Sequence, residues 1–327
     1  MGTTIRDVAK HAGVSVATVS RFLNNSPLIA MDSADKVRRS IQELHYEPSF
    51  LARGMVSRQS QTIAFLVNDE NPETYGNENF LKIEYGAEHA LGENGYYLML
   101  LSVGNASREK ALRKMVVERR ADGVILPAQL AKKSIFAMLA EQGTPFVVIG
   151  KSRASCWVDL DNVMAGRIAA ERLIASGSRT LGFVGNGRDK VFVSERYEGF
   201  CAAVHEAAVT ELPCADCPGD AGQGYALVTG MDVLPDAFVV SDNETAFGML
   251  RALSDRGIGV PDQVQIISFD DGVAARLCNP PLSVVDIDVR QLGAQAANML
   301  CMQLRGGENV SQQCLLPVRL IARGSSR

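Results

Sequence analysis

The chain has 327 residues, 46% of them apolar and 21% charged, with a formal net charge of −4. At roughly 150 residues per domain this is too long for one ordinary core, and it is too apolar for wholesale disorder. Seven scattered cysteines exclude a disulfide framework and fit a reducing compartment, and no apolar run approaches the ~18 residues of a membrane span. Charge is unevenly spread. Residues 1–60 carry eight Lys/Arg against five Asp/Glu, a net of +3, which leaves 25 basic against 32 acidic residues, a net of −7, in the rest. A basic head on an acidic body is the asymmetry of a protein whose head alone meets phosphates.

The first 46 residues read as three short helices. Ile5, Val8, Ala9 and Ala12 form an i, i+3, i+4, i+7 stripe. Thr3 or Thr4 is placed to cap its start, and Gly13 to end it. Val16 to Asn24 resumes the pattern with Val19, Phe22 and Leu23. A third helix, roughly Ser33 to His45, carries Val37, Ile41 and Leu44 and is stopped by Pro48. Residues 47–61 then read as one or two marginal helical turns around Gly54, followed by a polar linker.

From residue 62 strands and helices alternate. Strands are predicted over Thr62–Val67, Tyr97–Ser102, Gly123–Pro127, Phe146–Gly150, Trp157–Leu160, Thr180–Gly185, Ala237–Ser241, Gln265–Phe269 and Leu282–Ile287. Helices are predicted over Lys82–Gly92, Ser134–Gln142, Met164–Ala175, Ser194–Ala208, Asn243–Arg256 and Arg290–Leu304. Val/Ile-rich strands alternating with helices imply an α/β body of two parallel sheets wrapped by helices. Ligands in such folds bind beyond the carboxyl ends of strands. Lys151 stands at one such end, and Arg188 and Lys190 on a nearby loop hint at a sugar acid or sugar phosphate. Cys214 and Cys217 form one C-x-x-C, which without a second pair or clustered histidines reads as a surface loop with two thiols. No metal and no cofactor is expected.

The segment Thr4 to Asn24 carries the chemistry. Small Ala9 lets two helices approach, Gly13 makes a tight turn, and Val19 faces back to the first helix. Ser15, Val16 and Ala17 then lie at the amino end of a second helix, as in a helix-turn-helix entering a major groove. Val16 and Ala17 suit thymine methyls, and Arg21, one turn on, suits a guanine edge. Thr4, Ser15, Thr18 and Asn24 suit phosphates. No G-x-S-x-G, G-x-x-x-x-G-K-[ST], H-E-x-x-H or G-x-G-x-x-G on a strand–helix turn is present, so an enzyme is not expected.

The run Asp7-Val8-Ala9-Lys10 through Gly13-Val14-Ser15-Val16-Ala17-Thr18-Val19-Ser20-Arg21 to Leu23-Asn24 resembles the head of the LacI/GalR family of regulators. The likeness continues in Tyr46-Glu47-Pro48, Asp122-Gly123-Val124-Ile125, Asp161-Asn162, Arg196-Tyr197-Glu198-Gly199-Phe200, Ser268-Phe269-Asp270-Asp271 and Pro280-Pro281-Leu282.

The resemblance implies a periplasmic-binding-protein-like body of two α/β subdomains, about 62–160 with 291–320 and about 161–290 with 321–327. Without a signal core or membrane span the chain reads as cytoplasmic with no membrane role, and the resemblance implies a homodimer, or a pair of dimers, on a near-palindromic double-stranded operator, most often as a repressor. It implies a hinge helix in the minor groove through Ala52 and Met55, with Met55 as the wedge. It places a small effector (a sugar, sugar acid or sugar phosphate) near Asp161, Arg196, Asp242 and Asp270. The alternative is a soluble sugar-binding protein without a DNA role. Three positions depart from the family. Ser49 replaces its usual asparagine, Gly54 weakens the hinge helix, and Ala30 replaces a capping serine, so that Asp32 or Ser33 is expected to cap the third helix.

Overall fold

The computed structural model describes residues 3–23, 29–46, 59–68, 78–103, 108–185, 187, 190–217, 219–306 and 313–327. The expectations for Asn24, Ser49, Ala52, Gly54, Met55 and Arg188 fall outside the described residues.

The head is three helices: α1 (Ile5–Ala12), α2 (Val16–Leu23) and α3 (Met31–Glu43). Thr4 and Asp7 close a capping box at the start of α1. The Thr4 Oγ1 accepts from the Asp7 amide at 3.4 Å, and the Asp7 Oδ2 accepts from the Thr4 amide at 2.9 Å. The Thr4 hydroxyl, donating to the Asp7 Oδ2 at 2.7 Å, and then the Thr4 amide hold the Asp7 carboxyl below its ordinary range. Gly13 ends α1 at φ 65°, a left-handed turn that a side chain resists. Val8, Ala9, Ala12, Val19, Val37 and Tyr46 close a core between the three helices. The helix α3 begins at Met31, two residues earlier than expected. Its cap residue is Ala30, which makes no side-chain capping bond, so neither Asp32 nor Ser33 takes that role.

The body holds two six-stranded sheets among the described residues. The first lobe contains β1 (Thr62–Asn68), α4 (Glu78–Glu93), β2 (Tyr97–Val103), α5 (Arg108–Val117), β3 (Gly123–Pro127), α6 (Lys133–Glu141), β4 (Phe146–Ile149) and β5 (Trp157–Leu160). The second contains α7 (Asn162–Ala175), β6 (Thr180–Gly185), α8 (Val191–Glu206), β7 (Thr210–Asp216), α9 (Ala221–Thr229), β8 (Ala237–Val240), α10 (Asn243–Asp255), β9 (Gln265–Phe269), α11 (Val273–Leu277) and β10 (Ser283–Asp286). The chain returns to the first lobe for α12 (Val289–Leu304) and β11 (Gln313–Leu316), then ends in the second with β12 (Arg319–Ile321).

The sheet orders are β11-β5-β4-β3-β1-β2 and β12-β10-β9-β8-β6-β7. Pairing is parallel throughout, except that β12 runs antiparallel to β10. Apolar side chains cover both faces of each sheet, which is why the central strands are continuous apolar runs. The return point differs from the expected one. Ile287 and Val289 already pack in the first lobe, and Arg319 and Leu320 already pair in the second sheet. The turn containing Cys217 is not a surface loop, because Cys217 is buried in the second lobe's core.

Glycines set the helix crossings. A Cβ on Gly166 of α7 would meet the Arg196 carbonyl oxygen at 1.8 Å, and one on Gly199 of α8 would meet the Val163 carbonyl oxygen at 1.8 Å. The two helices therefore touch backbone to backbone, and this contact fixes where α8 presents Arg196. Gly166→Ala is expected to force α8 away, at a cost of about 1–3 kcal/mol for overpacking. Thermal unfolding measures the loss, and an unchanged midpoint would refute the close-contact role.

Candidate effector cleft and DNA-facing helix

A cavity of about 460 Å³ opens between the lobes. Its walls are the carboxyl ends of strands from both sheets: Ala128 after β3, Gly150 and Lys151 after β4, Ser241 and Asp242 after β8, and Asp270 after β9. This is where a parallel sheet leaves strand-end loops free to meet a ligand.

Arg196 is the organising group. It is 4% exposed, on α8. Its Nε donates to the Asn162 Oδ1 at 3.1 Å, and its Nη1 donates to the Ser241 carbonyl at 3.1 Å. The guanidinium lies 4.2 Å from the Phe269 ring centre and 5.1 Å from that of Phe192. Burial pulls its pKa down, while Asp270, Asp159 and Asp242 push it back up. Arginine remains charged under such opposition, so the cleft keeps a fixed, oriented cation.

Asp270 faces it from the end of β9. Its backbone sits at φ 73°, in the left-handed region, where aspartate is tolerated better than bulkier residues. Its Oδ2 accepts from the Asn79 Nδ2 of α4 at 3.1 Å, so this bond joins the two lobes. Its Oδ1 is buried and has no hydrogen-bond partner among the described residues, an arrangement that costs free energy unless a ligand supplies a donor. Burial raises the Asp270 pKa, with the Arg196 charge opposing.

A carboxyl whose folded pKa is raised loses stability as pH climbs from the unfolded value, near 3.8, through the folded one. Asp270→Asn lacks that loss. Its stability relative to wild type is expected to improve as pH rises through and above the ordinary carboxylate range, as read from paired denaturant titrations. A difference that stays flat with pH would contradict a raised Asp270.

The other expected residues divide. Asp242 lines the cavity, but both its oxygens are occupied as the cap of α10, from the Thr245 amide at 2.8 Å and the Thr245 hydroxyl at 3.0 Å. Lys151 lines the cavity as expected, and its Nζ donates to Glu195 Oε1 at 2.7 Å. Asp161 does not line it. That carboxylate caps α7, accepting from the Met164 amide at 3.0 Å.

Asp159, two residues earlier, does line the cavity. It lies on the buried strand β5 and accepts from the amides of Lys151 at 2.8 Å and Leu160 at 2.7 Å. Burial raises its pKa as well. Sequence reasoning does not single it out, although a carboxylate inside the predicted strand Trp157–Leu160 is a signal that could find it. Glu195 and Asn79 carried no such signal.

In the head, Val16, Ala17 and Arg21 are exposed on α2, while Val19 of the same helix is fully buried. Ser15 starts α2, its Oγ accepting from the Thr18 amide at 3.1 Å and lying 2.9 Å from the Thr18 hydroxyl. Thr4 sits exposed at the start of α1. The exposed face thus offers two small or branched apolar side chains and one arginine, flanked by two helix starts whose amides favour anions.

A three-helix head of this kind on a two-lobed, cleft-forming α/β body defines a DNA-binding transcription regulator that carries a ligand-binding body. Residues 4–49 match the family described as "Bacterial regulatory proteins, lacI family", and residues 170–326 match a "Periplasmic binding protein-like domain". The chain is 30% identical over 312 residues to the HTH-type transcriptional repressor PurR of Actinobacillus pleuropneumoniae serotype 3 (strain JL03), covering 92% of this chain and 91% of that one. It is 29% identical to the HTH-type transcriptional regulator CelR of Thermobifida fusca, over 98% of both chains.

Among solved structures, a complex of the transcriptional regulator CelR with cellobiose superposes with a TM-score of 0.71 at 27% identity, over 99% of this chain and 100% of that one. The lac repressor dimer bound to operator and the anti-inducer ONPF gives a TM-score of 0.78 at 22% identity, over 99% of both, which shows the shared fold. The chain belongs to the LacI family of bacterial transcription regulators.

Proposed function

We propose that this protein is a cytoplasmic repressor that binds a near-palindromic operator as a homodimer and changes its grip when a small polyhydroxylated effector of the sugar class enters the cleft. The observation that carries this reading is the pairing, inside one cavity, of a fixed guanidinium with the buried, unpartnered Oδ1 of Asp270. Such a site offers a donor fork to one hydroxyl and an acceptor to the next. The relative solved with cellobiose supports the effector class, and the relatives named as repressors support the direction of control.

In this reading Val16, Ala17 and Arg21 contact bases. Thr4, Ser15, Thr18 and Asn24 contact phosphates, and Ala52 and Met55 enter the minor groove. Exposed Leu81 and Tyr85 on α4, and Val273 and Leu277 on α11, support a self-associating body. Among the described residues no helix is long and apolar enough to cross a membrane. The effector acts by binding two arrangements of the lobes unequally, since equal binding shifts nothing.

Thermal unfolding of the full chain against a panel of neutral mono- and disaccharides, cellobiose included, tests the effector class. The expected result is a raised midpoint with one sugar or a related few, growing with concentration to about 2.7 kcal/mol at a hundredfold excess over Kd. No shift across the panel would contradict the sugar reading.

A further inference from the structure

Three cationic residues, Lys151, Lys190 and Arg196, line the cleft, and by count they invite an anion. The carboxylates around them argue the reverse. The Lys151–Glu195 ion pair, at 2.7 Å, runs from the end of β4 in the first lobe to α8 in the second, so it spans the cleft. The Glu195 side chain is only 14% exposed, and its Oε2 is buried without a hydrogen-bond partner among the described residues. Arg196 feels Asp159, Asp242 and Asp270, and Asp159 in turn feels Glu195. Three carboxylates of the lining, with Glu195 behind Lys151, therefore oppose three cations.

We propose that Glu195 is a specificity-determining residue that makes the cleft take an uncharged polyol and reject its phosphorylated or carboxylated counterpart. The proposal rests on the cleft being the effector site. An incoming anion competes with Glu195 for Lys151. If it wins, it strands the Glu195 carboxylate, without its counter-ion, in a place nearly closed to water, which is a steep cost for a buried charge. A hydroxyl does neither, because it donates to the open Asp270 Oδ1 and leaves the ion pair in place. The pair also ties the lobes together, so the charge filter and cleft closure share one contact.

Inorganic phosphate is the probe, titrated calorimetrically into the full chain at constant ionic strength. The proteins are wild type, Glu195→Gln and the double variant Lys151→Met/Glu195→Gln. The expected result is no saturable binding to wild type over the titrated range, saturable binding to Glu195→Gln with a Kd at least about tenfold below the top of that range, and loss of that binding in the double variant. Saturable phosphate binding by wild type overturns the proposal, and that arm needs no variant to fold. So does a Glu195→Gln protein that binds phosphate no better than wild type, or a gain that survives without Lys151. If the sugar panel fails while these three results hold, the sugar reading falls and the charge filter stands.

Discussion

Arg196→Ala is expected to abolish the response to the sugar identified by thermal unfolding, while operator binding persists. The side chain is fixed by two hydrogen bonds, to Asn162 and Ser241, and flanked by two aromatic rings. Truncation removes the donor fork and leaves three neighbouring carboxylates without their buried counter-charge. The body is expected to lose about 3–5 kcal/mol, the range for stranding a buried charge. Arg196→Lys restores charge but not the planar fork, and is expected to recover stability better than effector response. The head has its own core of Val8, Val19, Val37 and their neighbours, so it keeps its fold. Effector titrations of labelled operator, read by anisotropy, decide the matter. A full response in Arg196→Ala would remove this residue from the site.

The second large effect is expected at Arg21. It is exposed on α2, one turn beyond Ala17 and opposite the buried Val19. Its reading as a guanine contact predicts that Arg21→Ala costs about 1–3 kcal/mol on the preferred operator and relaxes preference at one base pair per half-site. A phosphate contact gives another signature: a uniform loss over all sequences and a salt slope shallower by about one. Binding selections with wild type and variant at matched salt separate the two. Unchanged preference at every position would refute the base contact.

Much of this architecture is legible in residue pattern, and the reasons are physical. Central strands such as Gly123–Pro127 and Gln265–Phe269 are buried on both faces, so they stand out as short apolar runs between helical stretches. The missed strands lie at sheet edges. β7 contains Pro213, β12 has three residues, and β11 is largely exposed, so none shows the apolar signature of a central strand. In the cleft, Lys151 is legible as a strand-end position, while Arg196, on α8, and Asp242 and Asp270 are implied by the family resemblance, and all four line the cavity.

The family pattern points to Asp161, just past the end of β5, whereas the carboxylate lining the cavity is Asp159, inside that strand. Only geometry tells which carboxylate faces the cavity and which turns back to cap a helix. Glu195 was invisible for a different reason. In the run Ser194-Glu195-Arg196-Tyr197-Glu198 it reads as an ordinary helical acid. Its partner, Lys151, is 44 residues away and on the other lobe. Pairing across a cleft leaves no local periodicity to detect.

The central claim is a coupling between α2 on DNA and an uncharged ligand in the cleft. The most direct test selects bound duplexes from a random pool with the full chain at about 150 mM salt, where non-specific phosphate binding is weak. The selected DNA is then titrated with the sugar that stabilises the protein. The account predicts a two-fold symmetric site whose affinity changes on addition of that sugar, by about 5–150-fold as is usual for allosteric coupling. A symmetric site whose affinity is indifferent to every stabilising sugar, or a pool without enrichment under any of them, would contradict it.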